Sequence, residues 1–156
     1  KKESQLEKKQ VKMEDLFDDY LIRYMLDYET RKSLLDIDKF KAPFDYKIEL
    51  ENENKDVAKV DLVETFNYLI GLDVEKVRIY NFHNRKYKVV TGKMDDQKVI
   101  VIWRNIINLN MEEDKQFIEN EIIGGNKFDK IYINCDNYVE NSILIEEQFF
   151  NLMFKE

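Results

Sequence analysis

"KVRIYNFHNRKYKVVTGKMDDQKVIVIWR", residues 76–104, decides the fold. Here the apolar residues take a period of two. "KVRIY", "RKYKVVTGK" and "KVIVIWR" read as three strands, and "NFHN" and "MDDQ" read as the turns between them, an antiparallel meander. In the middle strand Lys86 and Lys88 alternate with Tyr87 and Val89, which predicts one basic face and one core face. "VIVIW" is apolar on both faces, so the third strand belongs at the centre of a sheet.

Outward from the meander, the C-terminal side predicts a helix over residues 111–123, with Phe117, Ile118 and Ile122 on its stripe and Gly124-Gly125 as the stop. "KIYIN" follows as a buried strand. "SILIEEQFFNLMF" reads as a last helix, with Ile145, Phe149, Leu152 and Met153 inward. Strand, helix, strand is a βαβ unit, which implies parallel pairing and a right-handed crossover. On the N-terminal side, "VDLVETFNYLIGL" (60–72) is a short helix. Asp61 and Glu64 have capping-box spacing, Leu62, Val63, Phe66, Leu69 and Ile70 form the stripe, and Gly71 ends it. Before that, "FDYKIEL" alternates as a strand after Pro43, and "ENENKDVAK" reads as a polar loop. Residues 14–31 predict an amphipathic helix through Leu16, Phe17, Tyr20, Leu21, Tyr24, Met25 and Tyr28. The expected architecture is α/β: a mixed sheet with an antiparallel meander followed by a βαβ unit, helices packed on the sheet. Residues 1–13 are a charged lead-in and 14–156 a single domain.

Composition narrows the function. The 156 residues carry a formal charge of −7, which counts against a purely electrostatic nucleic-acid binder. The charge is uneven, however. Residues 76–104 hold eight Lys or Arg against two acids, a local +6, whereas the remainder has 17 against 30. Ten Phe, nine Tyr and one Trp support a real core. The single cysteine, Cys135, excludes an internal disulfide and fits a cytoplasmic home. The chain contains no apolar run long enough to span a membrane and no signal-peptide pattern. It opens on Lys1 rather than Met, which points to a piece of a longer protein.

Catalytic chemistry is sparse. His83, the only histidine, falls in a turn with no nucleophile suggested beside it. Cys135 follows a buried strand beside Asp136, the setting of a packed, inert thiol. No Cys/His cluster exists for zinc, and the four glycines form neither a dinucleotide fingerprint nor a P-loop. Asp96-Gln97-Lys98 has the D-x-K form of metal-dependent nucleases, with Glu64 as a conceivable helix acid, but it lies in a turn. Two surfaces remain. Arg78, Arg85, Lys86, Lys88, Lys93 and Arg104 are candidates to contact DNA phosphates, with aromatic rings nearby for stacking. Arg104 has a competing role, pairing with a buried acid to fix the fold. Glu64, Thr65 and Asn67, with Phe17, Tyr20 and Tyr24, are candidates for a protein interface.

Several strings, in order, carry a resemblance: "YMLDYETRKSLLDIDKFKAPFDYKI", "VDLVETFNYLIGL", "VIVIWRN", "KIYINCDN" and "IEEQFFNLMF". Together they resemble the C-terminal region of adenine-specific (N6) DNA methyltransferases of the type III restriction–modification (Mod) kind, from about Asp15 onward. Those enzymes resemble one another in a [D/N/S]-P-P-[Y/F/W] tetrapeptide and an F-x-G-x-G loop. The tetrapeptide cannot occur here, since Pro43 is the only proline, and no F-x-G-x-G occurs either, so no catalytic or cofactor-binding residue carries over. The resemblance implies a parent that uses S-adenosylmethionine to methylate a base flipped from double-stranded DNA. It implies for this chain a non-catalytic accessory domain that binds no cofactor itself. Its expected role is assembly or docking, with the rest of the methyltransferase chain, a second methyltransferase subunit or a restriction subunit as partner. A DNA-contacting module built on residues 76–104 is the alternative, and a divergent nuclease around Asp96 and Lys98 is a third.

Overall fold

The computed structural model describes residues 37–45, 47–51 and 57–154. The amphipathic stretch 14–31, with Phe17, Tyr20 and Tyr24, lies outside the described residues.

The meander forms as the alternation dictates. β3 (Asp73–Phe82), β4 (Arg85–Met94) and β5 (Gln97–Arg104) pair antiparallel in sequence order. The first turn is only His83-Asn84. Both residues have positive φ, +52° and +61°, the two-residue geometry whose twist suits a hairpin. Asn81 and Phe82, read as turn residues from sequence, extend the strand instead. Gly92 sits where β3 comes closest: a Cβ there would lie 2.1 Å from the Asp73 carbonyl oxygen. Only glycine lets the two backbones meet, and a bulge between Val74 and Lys76 adjoins that point.

After β5 come α3 (Met111–Phe117) and β6 (Lys130–Ile133), which pairs parallel with β5. The parallel half of the sheet is therefore present as expected. β7 (Ser142–Leu144) was not expected. It pairs parallel with β6, and α4 (Ile145–Phe154) begins only after it. The strand order is β3-β4-β5-β6-β7, which puts the doubly apolar β5 at the centre. The helix read over 111–123 also divides. Residues Ile118–Ile123 continue α3 with π-type winding, and Gly124 ends it at φ +59°. Apolar residues on the stripe keep their inward places through the change of winding, since Ile118 and Ile122 are both buried.

A second, two-stranded sheet precedes the meander. After a short helix α1 (Ile37–Lys41) and one 3-10 turn (Pro43–Asp45), β1 (Lys47–Glu51) pairs antiparallel with β2 (Val57–Asp61). The sequence shows one strand here and a loop through Lys59, whereas Val57–Asp61 are a second strand. β2 runs straight into α2 (Leu62–Leu69). Asp61 caps this helix, its carboxylate accepting from the Glu64 N–H at 2.6 Å. Gly71, at φ +70°, follows the helix end as its spacing predicted.

Both faces of the five-stranded sheet are covered over its central strands, whereas most of β3 is exposed. On one face α2 and α4 pack Leu62, Phe66, Ile145 and Phe149 against Val99, Val101 and Trp103, with Phe40 of α1 beside them. On the other, Ile118 and Ile122 pack against Tyr87, Val89, Ile100 and Ile102. The molecule is three layers, helix–sheet–helix, with a separate core on each side. On β4 Tyr87 and Val89 form the core face as expected, and on the other face Lys86 is exposed while Val90 is buried. Lys88 stands opposite Trp103 in register and is half-buried, and the Lys86 ammonium lies 4.4 Å from the Phe44 ring centroid.

Candidate functional site

The chemistry-bearing side chains gather at two places: a buried polar node at the end of β5, and a cationic cleft across the meander.

The node is built around Arg104. Its guanidinium meets the Asp114 carboxylate at 2.9 Å, and neither side chain reaches solvent. Nε also donates to Asp114, and Nη2 donates to the Asp136 carbonyl at 2.9 Å. The Tyr87 hydroxyl donates to Asp114 Oδ1 at 2.7 Å. Asn134 completes the cluster. Its Oδ1 accepts from the Arg104 N–H at 2.8 Å, and its amide donates to the carbonyls of Arg104 and Phe40, each at 2.7 Å. Arg104 Nη1 donates to the Asn134 carbonyl as well. A buried ion pair is stabilising only when its remaining hydrogen-bonding capacity is also satisfied, which this network achieves. Burial, then the bond to Asp114, push the Tyr87 phenol upward, so it stays protonated. Arg104 is thereby removed from the DNA-contacting candidates. It has the fold-fixing role that its place beside Trp103 also allowed.

Cys135 adjoins the node and is buried. Its Sγ lies 3.2 Å from the Phe40 carbonyl, and its backbone N–H donates to the Glu146 carboxylate at 2.9 Å. Burial first, and Glu146 second, push its thiol up to about 12. Alkylation of the native chain at pH 8 should therefore run roughly a thousandfold slower than in urea, where the thiol returns to its ordinary range. Equal rates in the two conditions would contradict the packing. The linkage has a definite sign. A folded-state value above the unfolded one stabilises the native chain fully below about pH 8.5, and that stabilisation is lost as pH rises through about 12.

The meander's cations separate by face. Directly opposed residues share a face, and the register sets Lys76 beside Thr91, Arg78 beside Val89, and Lys93 beside Lys98. Lys76, Arg78, Lys93 and Lys98 thus line one cleft of about 300 Å³. The sequence marks Arg78 and Lys93 for such a surface, and the strand register adds Lys76 and Lys98. Arg85, Lys86 and Lys88 do not join them. Arg85 donates to the carbonyls of Asn105 and Ile107, tying the hairpin to the following loop. Lys86 and Lys88 belong to the opposite face.

The proposed interface residues of α2 also divide. Glu64 is exposed. Thr65 is buried, its hydroxyl donating to the Asp61 carbonyl at 2.8 Å, so it holds the helix start instead of facing a partner. Asn67 is partly buried, and its Oδ1 is buried without a hydrogen-bond partner. Asp96 lies in the turn before β5, and the described residues contain no group of three His, Cys, Asp or Glu placed to hold a metal ion. His83 is exposed at its turn, 3.8 Å from the Glu113 carboxylate and against the Phe82 ring.

The chain matches no protein-family model, no curated protein and no solved structure. No helix among the described residues is long and apolar enough to cross a membrane.

Proposed function

We propose that this chain is a non-catalytic accessory domain of an N6-adenine DNA methyltransferase of the type III restriction–modification kind, and that it docks onto the catalytic region of that enzyme. The ordered strings quoted above support the family. One structural observation supports docking. β3 is a ten-residue edge strand, and Val74, Val77 and Ile79 are 41%, 52% and 51% exposed along it. An exposed apolar row on a strand whose outer edge pairs with no other strand among the described residues is a surface that soluble proteins ordinarily shield or use. Arg104, Asp114, Asn134 and Tyr87, in contrast, are engaged with one another in the node, so their chemistry serves the fold.

Two measurements test this reading. The coding sequence upstream should contain both a D-P-P-Y-like and an F-x-G-x-G-like motif; absence of both removes the family assignment. Co-expression of the catalytic region and this chain as separate polypeptides should then yield a complex on gel filtration. Val77→Lys with Ile79→Lys should abolish that complex while circular dichroism stays native. A wild-type chain that elutes alone, or a variant that still assembles, rejects docking through β3.

A further inference from the structure

From the cationic cleft we infer a second binding surface, independent of the docking role: Lys76, Arg78, Lys93 and Lys98 hold the phosphate backbone of duplex DNA. The argument begins with an electrostatic cost. Lys93 and Lys98 are directly opposed on neighbouring strands, and like charges so placed weaken a sheet. No acid relieves them: among the described residues no salt bridge involves Lys76, Arg78, Lys93 or Lys98. Asp73 is the register neighbour of Lys93 on its other side, and Glu75 lines the cleft, yet neither closes an ion pair. The Asp129 carboxylate accepts from the Lys98 backbone N–H at 2.7 Å rather than from the ammonium. Four cations that form no ion pair among the described residues, Lys98 meeting only the Phe128 ring, call for an anion from outside in a chain of net charge −7.

Their layout sets the size of that anion. Lys76 and Arg78 are two residues apart on one strand, about 7 Å. From β3 across to β5 is a further two strand spacings, about 10 Å. A patch of that extent exceeds one phosphate and suits successive phosphates of a polymer. The surrounding rings decide between duplex and single strand. Binders of single strands offer open aromatic faces for bases to stack on. Here Tyr80 packs edge-on against Phe117 at 6.2 Å, and the Lys98 ammonium lies over Phe128 at 5.8 Å. With both rings engaged, the surface offers charge without a stacking platform, which is contact to the backbone of a duplex.

The test is fluorescence anisotropy of the 156-residue chain with a labelled duplex and with one of its single strands, across a range of salt. Duplex binding should appear at low salt and weaken with a log–log slope of about −3 to −4, four cations at about 0.9 each. Lys76→Glu with Arg78→Glu should reduce affinity at least tenfold and flatten the slope by about two. Lys41→Glu with Lys86→Glu changes the net charge equally and should leave affinity within about twofold, since neither lines the cleft. Lys76→Gln with Arg78→Gln repeats the loss without introducing acids, should the first variant fold poorly. Absence of duplex binding at low salt, equal losses from the two charge-reversed pairs, or tighter binding of the single strand would each overturn the inference. All of these outcomes leave the complex-formation test of docking unaffected.

Discussion

Asp114→Ala should destabilise the fold by about 3–5 kcal/mol, one of the two largest effects expected of a single substitution here. The loss would not come from the missing attraction alone. Arg104 would remain charged and sealed from solvent, with Nε stripped of its acceptor, Nη2 left with the Asp136 carbonyl alone and the Tyr87 hydroxyl unpaired. Urea unfolding followed through Trp103, the only tryptophan, measures it directly. The double variant Arg104→Met, Asp114→Leu supplies the contrast. It removes both charges together and should cost far less than the single change. A single-variant loss below about 1 kcal/mol would mean that water reaches the pair, contrary to its complete burial.

Phe66→Ala is the second, also about 3–5 kcal/mol. Phe66 is the residue through which the 60–72 stretch enters the main core. Its ring lies 6.0 Å from Trp103, 5.3 Å from Tyr132 and 6.3 Å from Phe149, so it touches β5, β6 and α4 at once. Truncation would open a cavity bordered by three rigid rings, which have little freedom to collapse into it. Phe66→Leu should recover more than half of the loss. A small loss from Phe66→Ala would show that α2 repacks, and would detach the helix from any role in holding the sheet.

The meander and the 60–72 helix were legible because their signals are local. Alternation over 76–104 fixes the strands, and Asp61 with Gly71 brackets the helix. The missed elements show where locality fails. β7 is only Ser142–Leu144, and its "SIL" merges with the apolar spacing of the helix that follows. β2 is preceded by a polar run that reads as loop. The π-type winding at Ile118–Ile123 leaves the apolar stripe nearly unchanged, so no spacing announces it. The node was half legible. Arg104 ending a buried strand demanded an acid, but Asp114 sits in the first turn of α3, where an acid is already explained by the helix dipole. Asn134, after a strand, looked like turn chemistry. The basic segment was legible as composition only. The register that collects Lys76, Arg78, Lys93 and Lys98, and turns Lys86 and Lys88 to the opposite layer, is a property of pairing across strands.

The Asn134 amide has a consequence for the order in which the chain folds. It joins Phe40 to residues 94 positions away, whereas β3, β4 and β5 are linked by two-residue turns. Short-range hairpins form in microseconds, and distant segments meet only after a large loss of chain entropy. The meander should therefore assemble first and offer the Arg104 carbonyl as half of a socket. The socket is complete only when residue 134 arrives on β6 and the Phe40 segment closes over it. A ribosome would have to release residue 134, 94 positions beyond Phe40, before that last contact could form.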